Sequence, residues 1–507
     1  TVFLFLVVTF ILETLKLMVM SPINVLLKFL LVIVTAMMIP SCAVNPVTGK
    51  RQIMLMSEEQ EVAMGKEYDP QIVASFGEYK NDDLLAFIKQ KGTEMGKISH
   101  RPNLEYHFRI LDSPVVNAFA VPGGYLYFTR GILAQFNNEA ELIGVLGHEM
   151  GHVTARHTVS QQSKQQLGQL LLVGGMIASE DFRDFAGYAM QGMQLLFLKF
   201  SRDHERESDK LGVEYASKIH YDPQQMANFF NTLSRMSTSE GPGGIPTFLS
   251  THPDPGDRYR TVTQRAQEWK NKLGYDNYQI NEDSYLRKIE GMVYGEDPRQ
   301  GFEENNVFYH PELKFSFPVP SGWMLLNSPS QVQMAPKDGQ ALVVFTLAQQ
   351  ASAEAAAEAA VSSLKLQPLE SRRTTVNGMP AVAAVSERVT KDEQSGQQQH
   401  IRVLSYFIEY EGRIYVFHGV TENASFNTHV RNFESVMTSF NRLTDSSKLN
   451  KQPNRIRLKQ VNKSGTLAST LSGLGLAQDQ LEKTALLNNM ELTDQVEAGK
   501  LLKIIGQ

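Results

Sequence analysis

The spacing of apolar and polar residues predicts a mainly helical domain at residues 58–290. Apolar residues in this region recur mostly at helical spacings. The stretches 106–111 and 124–129 are instead β-rich and separated by turn residues, which predicts a small sheet within the domain. Ser57 lies three residues before Gln60, the spacing of a capping box that would begin the first helix.

The chain after residue 290 predicts two further folding units. A polar, turn-rich segment at 291–310 is predicted to be a linker. Residues 305–445 combine strands with helical stretches at 352–366 and 427–443, which predicts an α+β accessory domain. Residues 455–507 predict a small third domain. The predicted strands of the accessory domain are 315–323, 341–347, 401–408 and 413–419. The predicted fold class is therefore α+β.

Composition narrows the possible functions. A chain of 507 residues with 42% hydrophobic and 20% charged residues is neither disordered nor a multi-span membrane protein. Its net charge of −5 predicts no nucleic-acid partner. The chain has one cysteine, Cys42, which excludes an intramolecular disulfide framework and a cysteine-rich zinc module. A metal site must therefore use His, Asp and Glu.

The N-terminal region has the layout of a secretory signal. A lysine precedes an apolar run at 29–39, and small or helix-breaking residues follow it. Residues 39–42 resemble a bacterial lipobox, in which the thiol of the cysteine is acylated. The resemblance implies a lipoprotein signal peptide at 20–41 and lipidation of Cys42. The alternative is an uncleaved single-span anchor.

Three further expectations concern the same region. Ala43 after the lipobox cysteine implies sorting to the outer membrane of a Gram-negative bacterium. Residues 1–19 are expected to precede the true start of translation at Met20, and a two-span hairpin is the alternative. Residues 42–57 are predicted to be a tether between the anchor and the first domain.

The segment His-Glu-Met-Gly-His at 148–152 is the main candidate for chemistry. Residues four apart lie on one helical face, so His148 and His152 could bind one metal ion, with Glu149 at the edge of the same pocket. A hydrolytic zinc site uses three protein ligands and keeps a fourth position open. The third ligand must come from elsewhere, and Glu205 and Asp209 lie four apart on a second predicted helix.

These motifs together resemble those of the HtpX/BepA/CAAX-protease family of gluzincin zinc metallopeptidases. HExxH at 148–152 is followed about fifty residues later by ExxxD at 205–209. Further matching segments are 117–124, 139–142 and 152–157, and residues 45–49 after the lipobox resemble the family's periplasmic lipoprotein branch. The resemblance covers about residues 43–290. It implies a zincin-type metallopeptidase domain, mainly helical with a small sheet.

The resemblance also implies the roles of individual residues. His148, His152 and Glu205 would bind one Zn²⁺ per chain. Glu149 would be the general base. Asp209 would accept a hydrogen bond from a ligand imidazole and fix its tautomer.

Several neighbouring residues have competing interpretations. Glu207 is the alternative third ligand, although it lies two residues from Asp209 and therefore on another helical face. His157 is expected to be a structural hydrogen-bonding histidine rather than a ligand, and His204 an exposed neighbour. Ser208 stands where the family usually has alanine, and this difference is expected to have little effect.

A second matching segment, Thr251-His-Pro-Asp-Pro-Gly-Asp-Arg258, resembles the family's HPxxxxR motif, whose histidine and arginine lie over the zinc. His252 would either donate to the oxyanion of the reacting peptide or bind zinc in a resting state, and Arg258 would support it. A turn with an incidental histidine is the structural alternative. The Gly/Pro-rich residues 241–244 make this loop a candidate lid.

Two weaker resemblances concern the other units. The accessory domain at 305–445 is similar in pattern to the PsbP type. Residues 455–507 resemble a LysM module, a small fold that often binds peptidoglycan, and a domain that binds no sugar is the alternative.

The resemblances imply a zinc metalloendopeptidase anchored to the periplasmic face of the outer membrane. Its substrates would be misfolded or misassembled envelope proteins. The alternative is a chaperone-like assembly factor whose protease site is kept latent by His252. The complete set of ligands and base favours the protease, whereas the two large domains without a catalytic motif keep the alternative open.

Overall fold

The computed structural model describes residues 42–54, 56–163, 199–239, 246–253, 257–391 and 398–507. The predicted signal peptide at 20–41, residues 1–19 and the Gly/Pro-rich segment 241–244 lie outside these ranges. Among the helices of the described ranges, none is both long and apolar enough to cross a membrane.

The N-terminal domain is mainly helical and contains a small sheet, as the apolar spacing predicts. Its helices are α1 (Glu58–Phe76), α2 (Asp82–Ile98), α3 (Arg130–Gln135), α4 (Glu139–Thr154), α5 (Arg202–Lys218), α6 (Gln224–Ser239), α7 (Thr247–Thr251), α8 (Arg258–Leu273) and α9 (Glu282–Ile289). Its strands are β1 (Cys42–Val44), β2 (Arg51–Ile53), β3 (His107–Leu111), β4 (Ala118–Val121) and β5 (Tyr125–Thr129). In the three-stranded sheet, β5 lies between a parallel β3 and an antiparallel β4.

The predicted tether at 42–57 contains an antiparallel β1/β2 hairpin. Asn45 is fully buried, and its side-chain amide donates to the carbonyl of Ala155, just after α4. Arg156 in turn donates to the carbonyl of Met56. The segment is therefore docked on the domain, and not only a spacer, because its turn satisfies polar groups at the end of α4.

Polar caps explain where two of the helices begin. Ser57 Oγ accepts from the Gln60 amide at 3.2 Å, and Gln60 Oε1 accepts from the Ser57 amide at 2.8 Å, which confirms the predicted capping box. Asn138 Oδ1 accepts from the Glu141 amide at 2.9 Å and begins α4, the helix with the HExxH motif. Caps of this kind typically contribute about 1 kcal/mol each.

The accessory domain is built on two antiparallel sheets. Their strands are β6 (Phe302–Glu304), β7 (Val307–His310), β8 (Phe315–Pro318), β9 (Trp323–Asn327), β10 (Gln331–Pro336), β11 (Ala341–Ala348), β12 (Gln367–Val376), β13 (Met379–Lys391), β14 (Gln398–Tyr410), β15 (Arg413–Glu422) and β16 (Asn441–Arg442). The larger sheet has seven strands in the order β12-β13-β14-β15-β11-β10-β9, and the smaller has four in the order β16-β8-β7-β6. The helices are α10 (Ala353–Ser363), α11 (Phe426–Thr438) and α12 (Ser446–Leu449). The two longer helices cover apolar side chains of the large sheet, so the mixed α+β prediction is confirmed.

Two sequence predictions for this region are wrong. The predicted strand at 315–323 is two strands, since Pro318 and Pro320 lack amide donors and Gly322 turns with φ of 78°. The predicted linker at 291–310 is ordered structure: it contains a short 3₁₀ helix and the whole β6/β7 hairpin.

The C-terminal unit consists of β17 (Arg455–Gln460), β18 (Gly465–Thr466), α13 (Leu467–Gly473), α14 (Gln478–Leu487), β19 (Gln495–Val496) and β20 (Leu501–Gly506). It packs on the N-terminal domain. The buried Lys503 ammonium donates to the carbonyls of Ala134, Gln135 and Phe136 at the end of α3. Such a cation offsets the negative end of the helix dipole. The LysM resemblance and sugar binding stay predictions.

Candidate metal centre

Glycines allow α4 and α5 to approach each other closely. A Cβ atom at Gly147 would lie 3.0 Å from the Cα of Gly212, and a Cβ at Gly151 would lie 3.0 Å from the Cα of Ser208. Larger side chains at these positions would push the helices apart. The close approach brings the HExxH helix and the ExxxD helix into direct contact.

The predicted ligands lie together and are completely buried. The Nε2 atoms of His148 and His152 are 3.1 Å apart. Glu205 Oε1 lies 3.4 Å from His152 Nε2, and Glu205 Oε2 lies 3.5 Å from His148 Nε2. His252 Nδ1 is 3.3 Å from His148 Nε2 and 3.1 Å from Glu205 Oε1. These four side chains, here called the donor cluster, each offer one atom within 4.8 Å of the others.

These separations fit one tetrahedral metal ion. With metal–ligand distances of about 2.0–2.1 Å, the ligand atoms of a tetrahedral site lie about 3.3–3.4 Å apart. The five distances given above involve both carboxylate oxygens of Glu205 and are 3.1–3.5 Å, and one atom from each of the four side chains lies within 4.8 Å of the others. Three imidazole nitrogens and one carboxylate are also a ligand set that zinc accepts. The donor cluster therefore has both the spacing and the chemistry of a zinc site.

Glu149 lies beside the donor cluster without a hydrogen bond to either carboxylate oxygen within the described residues. Its side chain is completely buried, and its Oε1 is 3.6 Å from His252 Nε2. Burial raises the pKa of Glu149, and the charges of His252 and His148 offset this only in part. A carboxylate that is buried, unpaired by hydrogen bonds and raised in pKa is suited to accept a proton.

The charges of the donor cluster stabilise one another. Burial alone would raise the pKa of Glu205, but the positive charge of His252 and hydrogen bonds from His152 and His252 hold that pKa well below its usual value. Burial would lower the pKa of His252, but the carboxylates of Glu205 and Glu149 raise it. Burial keeps the pKa of His152 well below its usual value, which favours the neutral imidazole that a metal ligand requires.

Asp209 and Arg258 lie beside the donor cluster and contact His148. Asp209 Oδ1 lies 2.9 Å from His148 Nδ1 and accepts a 2.7 Å hydrogen bond from Arg258 Nη2. The Arg258 guanidinium also lies 3.2 Å from Glu205 Oε2 and 3.7 Å above the ring of Phe230. The structure thus places Asp209 at the Nδ1 edge of His148, and Arg258 between Asp209 and Glu205.

Glu207, the alternative third ligand, does not reach the donor cluster. Its Oε2 lies 3.0 Å from His157 Nε2, whereas His157 Nδ1 lies 3.0 Å from His152 Nδ1. His157 therefore makes structural hydrogen bonds, as predicted, and the ring of His204 stacks on it. Ser208 was expected to have little effect, but its hydroxyl lies 3.3 Å from His157 Nδ1 and so extends the same network.

Sequence spacing did not predict two aromatic residues of the site. Phe200 packs against the ring of His152, with ring centres 4.0 Å apart and planes inclined by 31°, and it stacks on the ring of His252 at 5.5 Å. The guanidinium of Arg258 lies over the ring of Phe230 on α6. Their signal in the sequence is weak, because buried aromatic residues occur throughout the chain.

The donor cluster and its surroundings define a candidate metal centre within the N-terminal domain. Residues 85–266 match the family model described as peptidase family M48, so the chain contains a peptidase M48 domain. The HExxH helix, the ExxxD helix and His252 all fall within this match.

Three curated proteins with similar sequences are named as a protease or metalloendopeptidase. The Beta-barrel assembly-enhancing protease of Yersinia pestis is 30% identical over 241 residues, which are 46% of this chain and 49% of that protein. The protein of the same name from Escherichia coli (strain K12) is 29% identical over 242 residues, 46% of this chain and 48% of that protein. Metalloendopeptidase OMA1, mitochondrial, of Homo sapiens is 26% identical over 239 residues, 42% of this chain and 44% of that protein. The chain thus spans about half the length of the curated relatives it matches.

One solved structure with a similar fold aligns with part of the chain. The solution structure of cyanobacterial PsbP from Synechocystis sp. PCC 6803 aligns with a TM-score of 0.23 and 13% identity, over 27% of this chain and 91% of that chain. A likeness of this size carries no argument about function.

Proposed function

We propose that this protein is a zinc-dependent endopeptidase of the bacterial periplasm that hydrolyses misfolded or misassembled envelope proteins. The observation that carries the proposal is the buried donor cluster with the Glu149 carboxylate beside it. Relatives named for enhancing β-barrel assembly support substrates in the cell envelope. The lipobox-like segment before Cys42 supports anchoring by a lipid at the outer membrane.

Each residue of the site has a task in peptide hydrolysis. His148, His152 and Glu205 would hold zinc, which when bound polarises the substrate carbonyl and lowers the pKa of a water molecule. Glu149 would take the proton of the attacking water on a carboxylate oxygen and deliver it to the leaving amine. Asp209 would accept the Nδ1 proton of His148, so that the Nε2 lone pair stays free for the metal.

The position of His252 supports a second candidate function, a chaperone-like assembly factor with a latent protease site. Its Nδ1 completes a set of four ligand atoms. Structural zinc sites have four protein ligands, whereas hydrolytic sites keep one position open. Peptide hydrolysis therefore requires His252 to leave the cluster, and Arg258, which donates to the His252 carbonyl, would guide its return.

Zinc analysis and casein proteolysis with residues 43–507 test the two functions, with wild type compared with Glu149→Gln. The protease proposal expects about one zinc per chain in both proteins and a loss of cleavage by about 10²–10⁴-fold in the variant. Glu214→Gln on α5, which pairs with Lys218, is the matched control and should cleave normally. Suppression of protein aggregation that is retained in Glu149→Gln, with no cleavage by wild type, would favour the assembly factor.

The proposed anchor has a separate test. Cys42→Ser removes the thiol that would be acylated, so the protein should move from the membrane fraction to the soluble periplasmic fraction. A Cys42→Ser protein that stays in the membrane fraction would favour an uncleaved N-terminal helix instead.

A further inference from the structure

A buried chain of hydrogen bonds connects His152 with the partly exposed carboxylate of Glu207. His157 lies between them in the helical residues that follow α4. Its Nδ1 is 3.0 Å from His152 Nδ1, and its Nε2 is 3.0 Å from Glu207 Oε2. The His157 side chain is completely buried, whereas that of Glu207 is 19% exposed.

Metal binding by His152 would determine which nitrogen carries the proton in each of these two hydrogen bonds. If His152 Nε2 binds the metal, its Nδ1 carries the ring proton. His157 Nδ1 must then accept that proton in a hydrogen bond, which leaves the proton of the neutral His157 ring on Nε2. This Nε2–H donates to Glu207. The reverse order would place a proton on His152 Nε2, pointing into the donor cluster, where it would exclude the metal.

The two ligand histidines are therefore supported in different ways. Asp209 reaches His148 Nδ1 directly, at 2.9 Å. The corresponding nitrogen of His152 contacts an imidazole, and the carboxylate stands one residue further out. Both carboxylates come from α5, whose Glu205 is itself in the donor cluster. Helix α5 thus supplies the ligand Glu205 and also the two carboxylates that stand behind the ligands His148 and His152.

We propose that His157 and Glu207 are positioning residues that fix the tautomer and orientation of His152 and thereby strengthen zinc binding. The proposal rests on the proposed function, because it takes His152 as a zinc ligand. His204 stacks on the ring of His157, and Phe200 packs against the ring of His152, so both imidazoles are also in contact with a neighbouring ring. Glu207 contributes to the site through His157 and not as a ligand.

Zinc affinity, measured by competition with a chelator on the full chain, tests this proposal. Glu207→Ala and His157→Ala should each weaken zinc binding about 10–100-fold, the usual cost of losing a partner of a metal ligand. The double variant should bind zinc about as well as His157→Ala, because Glu207 acts through the imidazole. Glu207→Gln keeps an acceptor oxygen and should lose less than Glu207→Ala.

Two controls separate positioning from a general effect on charge or folding. Asp203→Ala removes a carboxylate from the first turn of the same helix, where it is 93% exposed, and should leave zinc affinity unchanged. His157→Asn retains an acceptor near the position of Nδ1 and should recover part of the affinity lost in His157→Ala. The visible spectrum of the Co²⁺-substituted protein should change in Glu207→Ala, since the ligand His152 is reoriented, and stay unchanged in Asp203→Ala.

The outcomes are distinguishable from a failure of the proposed function. A wild-type protein that binds no zinc would defeat both proposals. If wild type binds zinc and Glu207→Ala binds it equally well, only the positioning role is wrong. Independent, additive losses in the double variant would also overturn it, because they would show that Glu207 does not act through His157.

Discussion

Buried histidines in the two large domains have opposite surroundings. In the M48 domain, His252 Nδ1 lies 3.1 Å from Glu205 Oε1 and 3.3 Å from another imidazole. In the accessory domain, His418 on β15 is also buried and makes a 2.8 Å hydrogen bond between its Nδ1 and the hydroxyl of Ser405. Burial is therefore common to both, and only the neighbours differ.

The pKa values show what this difference means. Burial alone lowers the pKa of His418 to about 4, because no carboxylate compensates for the lost water. The pKa of His252 is raised despite complete burial, since the carboxylates of Glu205 and Glu149 outweigh the loss of water. A buried histidine becomes chemically useful where side chains from several elements converge on it. The side chains next to a residue on a β-strand are spread along one face of the sheet, so they do not surround a histidine such as His418 in this way.

Removing a ligand should have the largest effect in this comparison. His148→Ala should weaken zinc binding strongly and abolish proteolysis, because it removes one of the three proposed ligands, and the two that remain hold the ion poorly whenever His252 leaves the cluster. The matched change His418→Ala should leave the zinc content unchanged. Metal analysis of the purified proteins measures both. Zinc bound as tightly by His148→Ala as by wild type would show that the donor cluster is not the metal site.

His252→Ala should have the next largest effect. If His252 closes the site and the open form is populated at about 1–10%, the substitution should raise turnover about 10–100-fold with zinc retained. Casein cleavage at matched zinc content is the measurement. A fall of about a hundredfold would instead assign His252 to the oxyanion of the reacting peptide. Unchanged turnover would contradict both roles and leave the segment as a structural turn.

The smallest expected effect is a pH dependence of the accessory domain. The pKa of His418 is about 4 in the folded state, below its unfolded value of about 6.5, so the unfolded chain binds more protons between these values. The stability that this group contributes is complete above about pH 6.5 and is lost as the pH falls toward 4. The loss between pH 7 and pH 5 should be about 2 kcal/mol.

Urea denaturation followed by Trp323 fluorescence measures this loss, in a Trp269→Phe background that leaves one tryptophan. His418→Gln should flatten the pH dependence by about the same amount. An unchanged slope would mean that the neutral state of His418 does not limit the stability of this domain at low pH.

Much of the metal centre could be predicted from local sequence. The four-residue spacings of His148 with His152 and of Glu205 with Asp209 place each pair on one helical face, whatever the rest of the fold. Resemblance to known motifs then suggested which residues act together. The same local logic identified the α+β character of the accessory domain, because alternating and helical apolar spacings differ clearly.

The parts of the fold and the site that local sequence did not predict depend on contacts between residues far apart in the chain. That α4 and α5 can bring their motifs together depends on Gly147 facing Gly212, a pairing that neither glycine reveals alone. Helical spacing places Glu207 and Asp209 on different faces of α5. It does not reveal that Glu207 pairs with His157, which is fifty residues away in the sequence. The linker prediction at 291–310 failed for a related reason, since a polar, turn-rich segment can be ordered when it pairs with neighbouring strands, as β7 does with β8.

The sequence by itself determined which residues could bind a metal and accept a proton, because residue type and helical period decide these properties locally. Tertiary structure decided how they are used. It placed His252 Nδ1 in the fourth position of the donor cluster, set Asp209 behind one ligand, and set the His157–Glu207 pair behind the other. The physical reason is that hydrogen bonds and metal coordination require separations of about 2–3 Å. Only the packing of distant elements can bring their side chains that close.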